Sequence, residues 1–518
     1  MMIFISNIPF YFLLFSISFI SILFIRCNAK KRSKSKTPRI QHPPSPPSLP
    51  LIGHLHLLSP ALSKSFHYLS TRYGPLMRLR FGSASTIVVS NATIAKEMLK
   101  NNEMNFVSRP HFGSSDYDIY DGCTFIFAEY GVYWRFMKKL CMTELLSMAQ
   151  LNRFSDIRMQ EMKKLIETLL KCSQEGNNKG CNLGLELLRM TNNVVCRMAM
   201  STRCSERVDE SKLVWEFVKG VEVLALKFSL GELLGPVNKL DLFGYGRRLK
   251  ALLLGFDAMV EKIMVEHEKD IDTGKEKKKD IMGILLEIYR DEQAEVKLTR
   301  KNIKSFLMEL FMAGTETTSA ALQWTIAELI NHPKVFNKLR EEINGVVGTR
   351  LVEESDVPNL PYLQAVVKES LRLHPTAALI FRKCVKDCKI NGYDILANER
   401  TIFNLTAIMR DPNLWENPLD FIPERFTTNL QENHDPYKID FKGQDFKIFP
   451  FGSGRRGCPG TSFALTVIHG VVATLVQCFD FEVEGGGKLN MEERAGFSNG
   501  MVHPLICYPI THFNPFHC

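Results

Sequence analysis

Phe449-Pro-Phe-Gly-Ser-Gly-Arg-Arg-Gly-Cys-Pro-Gly460 surrounds one cysteine, Cys458, with features that an ordinary buried thiol does not need. Gly452, Gly454, Gly457 and Gly460 let the backbone turn tightly and approach a flat object closely. Arg455 and Arg456 add positive charge beside the sulfur, and a helical pattern opens at Thr461, so the amide-rich end of a helix is expected to point back at it. Together these features favour thiolate over thiol. Without them, Cys458 would read as a small core hydrophobe.

The 518-residue chain is 45% hydrophobic and 23% charged, the composition of a globular protein with a sizeable core. Its net charge of +9 is concentrated near the N-terminus. No basic helix or aromatic-interleaved patch follows in the body, so nucleic-acid binding is a poor reading of that charge. Thirteen cysteines are too sparse for a disulfide scaffold, their number is odd and no Cys-x-x-Cys pair occurs, which fits a reducing compartment. Cys384 and Cys388 lie close in sequence, but no His or Cys cluster completes a zinc site.

Ile8 to Ile25 is almost wholly apolar and is followed at once by Arg26, Lys30, Lys31, Arg32, Lys34, Lys36 and Arg39. That length just spans a bilayer, and the charge order is the reverse of a cleaved signal peptide's. Cations kept cytoplasmic leave the N-terminus lumenal and the body in the cytosol. The proline run His42-Pro-Pro-Ser-Pro-Pro-Ser-Leu-Pro is then a stiff extended spacer. The expected organisation is a transmembrane anchor over 1–26, a basic and proline-rich hinge over 27–50, and a catalytic domain over 51–518. Asn91-Ala-Thr and Asn404-Leu-Thr match the glycosylation pattern, but a cytosolic body would leave both unmodified.

In the body, alternation between Leu76 and Ser90 predicts a β-hairpin. Helical runs follow over Ala95–Asn101, Tyr133–Leu146, Asp156–Cys172, Leu185–Ser201, Lys212–Leu226, Arg247–Lys269 and Asp280–Arg290, with a charged connector at Lys275–Lys279. Asn302 to Asn331 is apolar nearly all round and predicts a long helix through the middle of the protein, of roughly 45 Å. Midway along it, Ala313-Gly-Thr-Glu-Thr-Thr318 is a polar patch that burial would penalise unless it served a purpose. Back-bonding of a threonine to the preceding turn is the plain structural alternative. Further on, Pro361 starts and Pro375 stops a helix that carries Glu369 and Arg372 on one face.

The spacing Phe451-x-x-Gly454-x-Arg456-x-Cys458-x-Gly460 resembles the haem-binding signature of the cytochrome P450 superfamily, with every fixed position filled. The resemblance implies a mainly α fold with small β-sheets (α+β) and haem b, iron protoporphyrin IX, ligated at its iron by Cys458. It extends to the central helix, where Ala313, Gly314, Glu316 and Thr317 are similar to the family's oxygen-activating motif. There Gly314 would admit the cofactor, Thr317 would hold a water in a proton relay, and Glu316, standing where many members have Asp, would connect the relay to solvent. Trp134 and Lys138 would face the haem propionates, with Lys where Arg is usual. Arg382 and Arg456 would pair with propionates. Glu369, Arg372 and, in Pro423-Glu-Arg-Phe426, Arg425 resemble the family's buried structural triad.

By family order the substrate walls fall in Phe112–Tyr130, Leu310–Ala313, Thr376–Arg382 and Ser498–Val502. They are mostly apolar, which implies a lipophilic substrate. The wording of Gly348–Pro375 and Glu416–Phe426 resembles plant microsomal A-type members, and within these a clade of flavonoid and terpenoid oxidases, among them oxidases of pentacyclic triterpenoids such as friedelin. The resemblance implies a monooxygenase that uses O2 and NADPH electrons delivered by NADPH–cytochrome P450 reductase. It would sit in the endoplasmic reticulum membrane, single-pass and facing the cytosol. Docking of the reductase is expected on Lys138, Lys139, Lys442, Lys447 and Arg455. A non-oxygenating haem-thiolate isomerase and a haem-binding sensor are the readings from other classes, and the Ala-Gly-Thr-Glu-Thr motif argues against both.

Overall fold

A computed structural model describes residues 40–516 apart from 83, 111–117, 175–179, 204–216, 218–219, 222–223, 225–240, 242–243, 274–278, 428–445 and 495–497. The anchor, the hinge before residue 40, Lys442, and most of Lys212–Leu226 and of Lys275–Lys279 lie outside the described residues.

The expected hairpin pairs Leu76–Phe81 with Ala84–Val89. Its second strand continues in parallel onto Arg400–Asn404, whose other side takes Leu379–Lys383 antiparallel. Buried Leu76, Met77, Leu79, Ile87, Val88 and Val89 hold this four-stranded sheet against the rest of the chain. Lys383 extends the pairing to Ser108 through its N–H to the Ser108 carbonyl at 2.9 Å, which brings Arg109 beside the strand that carries Arg382. The side chains of Asn91 and Asn404 both cap helices, accepting backbone N–H bonds from Thr93 and Ile94 and from Ala407.

The helical expectations are met closely over the described residues: Val132–Leu140, Ser155–Gln174, Leu183–Met200, Tyr245–Asp272 and Ile281–Arg290. The run near Ala95 begins earlier, at Ala92, and both it and the run from Val132 finish in a single wide turn, at Glu97–Asn101 and Cys141–Leu145. The central helix spans Arg300–Asn331 and opens on a reciprocal cap between Thr299 and Asn302. It packs against Leu183–Met200 and Thr461–Cys478, so apolar residues on nearly all sides are a consequence of having neighbours on nearly all sides. Thr461–Cys478 is apolar enough to cross a bilayer, yet its side chains are mostly buried in the protein, as expected of a core helix. The architecture is mainly helical with small sheets.

Candidate haem-thiolate site

The glycine-rich loop closes through three backbone bonds: Gly452 N to Phe449 O, Gly457 N to Gly454 O and Cys458 N to Phe451 O, each 2.9 Å. Gly454 has φ +66°, and a Cβ there would lie 2.4 Å from Glu103 Oε1, so both conformation and space demand glycine. Glu103 is fixed there by Arg455, whose backbone N–H donates to it at 2.6 Å and whose guanidinium pairs with it. Arg456 turns inward, donating to the carbonyls of Val107 (2.8 Å) and Ala128 (2.5 Å) with its guanidinium 4.3 Å from the Trp134 ring centre. The expectation that these two arginines charge the sulfur's surroundings is therefore corrected. The cation felt by Cys458 is Lys138, whose ammonium donates to Gly457 O at 2.7 Å.

Cys458 is crowded by protein yet its side chain stays open to a water-sized sphere. Burial pushes its thiol up, opposed by the Gly460 backbone, the Lys138 charge and the Thr461 hydroxyl. Trp134 is buried between Phe125 and Tyr130, at centroid distances of 5.8 and 5.4 Å. Trp134 thus packs on the Arg456 guanidinium, while Lys138 is committed to the loop carbonyl before the cysteine.

Arg109, Arg382 and Arg456 form a buried cationic group. Among the described residues no carboxylate pairs with any of them, and Arg109 Nε and Arg456 Nη1 have no hydrogen-bond partner. The Phe381 carbonyl receives both Arg109 Nη1 and Arg382 Nη1 at 3.0 Å. Burial lowers all three pKa values, Arg109 to about 10 and Arg456 to about 9; repulsion by Arg109 adds to the effect on Arg456, and repulsion by both others to that on Arg382. Buried guanidiniums with unused donors suit a dianionic group, and the two carboxylates of haem fit that requirement. Arg109 was missed by sequence reasoning. Its signal was a lone arginine in Phe106-Val-Ser-Arg-Pro110, meaningless until the sheet brings it to Arg382.

On the other side of the site, Ala313 is exposed in the middle of the otherwise buried central helix. A Cβ on Gly314 would approach Val195 Cγ2 to 3.2 Å and Phe463 Cε1 to 3.9 Å, so this turn lies against the helix that begins just after Cys458. The Thr317 hydroxyl donates to the Ala313 carbonyl, the back-bonded arrangement raised above as an alternative. The Glu316 carboxylate accepts from Ser498 Oγ at 2.5 Å and from Arg494 Nη2 at 3.3 Å.

Glu309, one turn before Ala313, is a second residue that sequence reasoning passed over. Its oxygens accept the backbone N–H groups of Phe125 and Ile126, both at 2.9 Å, which ties the Trp134-contacting segment to the central helix. A single acid in the apolar run Phe306-Leu-Met-Glu-Leu-Phe-Met312 was the available signal. Burial outweighs those two bonds and lifts its carboxyl from 4.5 to about 8. Because the folded state keeps this proton longer, its contribution to stability is full below pH 4.5 and is lost as pH rises through about 8. Glu309→Gln removes that titration, so in thermal scans the stability of the variant relative to the parent should rise steadily across this window.

Glu369 and Arg372 are fully buried and joined by two bonds of 2.7 and 2.8 Å, and Arg425 Nε reaches Glu369 at 3.1 Å. Arg372 also donates to the carbonyls of Met409, Pro418 and Asp420, and lies 5.2 Å over Trp415.

An exposed thiol in a glycine-rich loop, buried guanidiniums with unused donors and a central helix that bares an alanine are what a haem-thiolate oxygenase requires. The chain belongs to the cytochrome P450 family, whose pattern, Cytochrome P450, matches residues 43–507. It is a cytochrome P450 monooxygenase with haem as cofactor, and the family implies O2, a redox partner and a substrate. Among its relatives is Cytochrome P450 93A3 of Glycine max, 43% identical over 513 residues that cover 97% of this chain and 98% of the relative. The 3,9-dihydroxypterocarpan 6A-monooxygenase of Glycine max is 43% identical over 94% of this chain and 95% of its own length. Beta-amyrin 24-hydroxylase of Glycine max is 41% identical over 98% of both. A solved structure of a zebra fish cytochrome P450 with progesterone matches with a TM-score of 0.71 at 26% identity, covering 87% of this chain and all of that one.

Proposed function

We propose that the enzyme hydroxylates an unactivated C–H bond of a polycyclic lipophilic plant metabolite, with a pentacyclic triterpenoid of the friedelin type as the first choice. Further rounds on one methyl would give alcohol, aldehyde and acid in sequence. The observation that carries this reading is that Thr376-Ala-Ala-Leu379, the segment expected by family order to line the substrate cavity, is half-buried, mostly apolar and free of charge until Arg382. A saturated ring system needs such a surface and offers little for polar partners to hold. A relative named Beta-amyrin 24-hydroxylase supports the choice, and one named 3,9-dihydroxypterocarpan 6A-monooxygenase supports flavonoid-like skeletons as the second reading.

In this reading the Cys458 sulfur would hold the haem iron. Arg109, Arg382 and Arg456, with Trp134 packed on Arg456, hold the propionates, while Phe451 and Gly460 shape the loop and Lys138 steadies it. Bound haem supplies the iron centre that activates O2. Ala313 would leave room beside it, Gly314 would let the central helix pack closely on Val195 and Phe463, Thr317 and Glu316 would handle protons there, and Glu369, Arg372 and Arg425 would lock the core behind the cysteine loop.

The organisation proposed is an anchor over 1–26, a hinge over 27–50 and a catalytic domain over 51–518 at the cytosolic face of the endoplasmic reticulum. Electrons come from NADPH–cytochrome P450 reductase. Lys138 is half-buried and donates to Gly457 O, so the docking cations are the exposed Lys139, Lys447 and Arg455, of which Lys139 and Arg455 also pair with Glu295 and Glu103. The test is metabolite analysis of membranes that contain the protein and a plant reductase, offered triterpene and flavonoid panels with NADPH. Oxidised friedelin-type product supports the first choice; product from flavonoids alone overturns it.

A further inference from the structure

We propose that Ser498, backed by Arg494, is a positioning residue that holds the Glu316 carboxylate in place for proton delivery; this rests on the reading of Glu316 and Thr317 as the proton-handling pair. Ser498 is fully buried, and its hydroxyl donates to Glu316 Oε1 at 2.5 Å. The same oxygen receives Arg494 Nη2 at 3.3 Å, and that arginine side chain is 45% exposed. One carboxylate oxygen is thus gripped from inside by a neutral hydroxyl and from outside by a cation in contact with water. Such an acid is held at the boundary between buried protein and bulk solvent.

The described residues on either side of this grip are fastened to the central helix and its surroundings. Asn499 N–H donates to Thr376 O, and Asn499 O accepts the Trp324 indole N–H, both at 2.7 Å. Arg494 pairs with Gly500 across a short antiparallel ladder, where a Cβ on Gly500 would stand 3.0 Å from Arg494 Nη2, so glycine makes room for the guanidinium. The preceding Glu493 is paired with Arg410 and lies 3.8 Å from His374, whose ring stacks on Trp324 at 4.2 Å. Glu316 is therefore clamped by a hairpin that is itself tied to Trp324, two turns along the same helix. Loss of the buried hydroxyl removes the inner of these two donors to Oε1 and leaves the outer one, Arg494, in place.

The test uses holoenzyme in membranes with a plant reductase and saturating NADPH, with β-amyrin as the lipophilic probe. NADPH oxidation is measured in H2O and D2O, and haem reduction under carbon monoxide is followed separately. Ser498→Ala is expected to slow NADPH oxidation several-fold and to enlarge its solvent isotope effect, with unchanged haem reduction and an unchanged carbon monoxide spectrum. Ser498→Thr, which restores a hydroxyl, should recover most of the loss, and Arg494→Gln should shift the isotope effect in the same direction by less. A purely structural serine would alter haem content or reduction and leave the isotope effect alone, which overturns the proposal. If Glu316→Gln changes rate and isotope effect while neither Ser498→Ala nor Arg494→Gln does, the clamp is wrong and the relay stands. If Glu316→Gln changes nothing, the relay reading itself fails, and the clamp with it.

Discussion

Glu369→Ala is expected to yield protein that accumulates without haem, read as loss of the Soret band and of the carbon monoxide difference spectrum in membranes. Arg372 is wholly buried, and its remaining donors are already engaged by Met409, Pro418 and Asp420 carbonyls, so the bare guanidinium has nowhere to find a replacement anion. Breaking a buried pair by removing one partner costs about 3–5 kcal/mol, a large part of the roughly 5–15 kcal/mol that holds a domain folded. The damage also has an address. Glu369 accepts the Ile422 N–H at 3.0 Å, and Met409 Sδ accepts the Phe449 N–H at 3.3 Å, so the triad and the start of the thiolate loop share one supporting layer. Arg425→Gln, which removes a longer and single bond to Glu369, should lower haem content much less. Wild-type haem content in Glu369→Ala would contradict the role assigned to the triad.

The thiolate loop and the central helix were legible because their signals are local. Glycines at fixed spacing, a helix start and a polar patch in an apolar run can each be read within a few turns of chain. Lys138 and the loop arginines were legible as cations near the site but not in direction. Arg456 reaches Val107 and Ala128, and Lys138 reaches Gly457, contacts separated by hundreds of residues and decided only by how the helices dock. Arg109 and Glu309 were silent for the same reason, since each acquires meaning from a partner segment: Phe381 beside Arg382 for one, the Phe125–Ile126 amides for the other. Ser498 was placed on a substrate wall by family order, and its hydroxyl instead meets Glu316. A sequence thus shows which groups a site needs to explain, whereas long-range pairing decides which of them touch.

Arg382→Met should act in opposite directions on the two forms of the protein. Three guanidiniums lie together with no carboxylate among the described residues paired to them, and desolvation and mutual repulsion, only partly offset by Glu103, disfavour the charge on Arg382. Taking one away relieves repulsion in the haem-free protein, which should therefore unfold at a higher temperature than its parent. If Arg382 holds a haem carboxylate as proposed, the same change in the haem-loaded protein deletes a charge-assisted contact inside a low-dielectric site. Loss of about 3–5 kcal/mol there corresponds to roughly two to four orders of magnitude in haem retention. Ligand-linked stabilisation falls with affinity, so the gap between haem-loaded and haem-free unfolding temperatures should shrink sharply. The measurements are thermal scans of both forms and the rate of haem transfer to an excess of apomyoglobin. A variant that loses stability equally in both forms would mean that Arg382 is a packing residue, while a narrowed gap with faster haem transfer ties the cluster to the cofactor's acid groups.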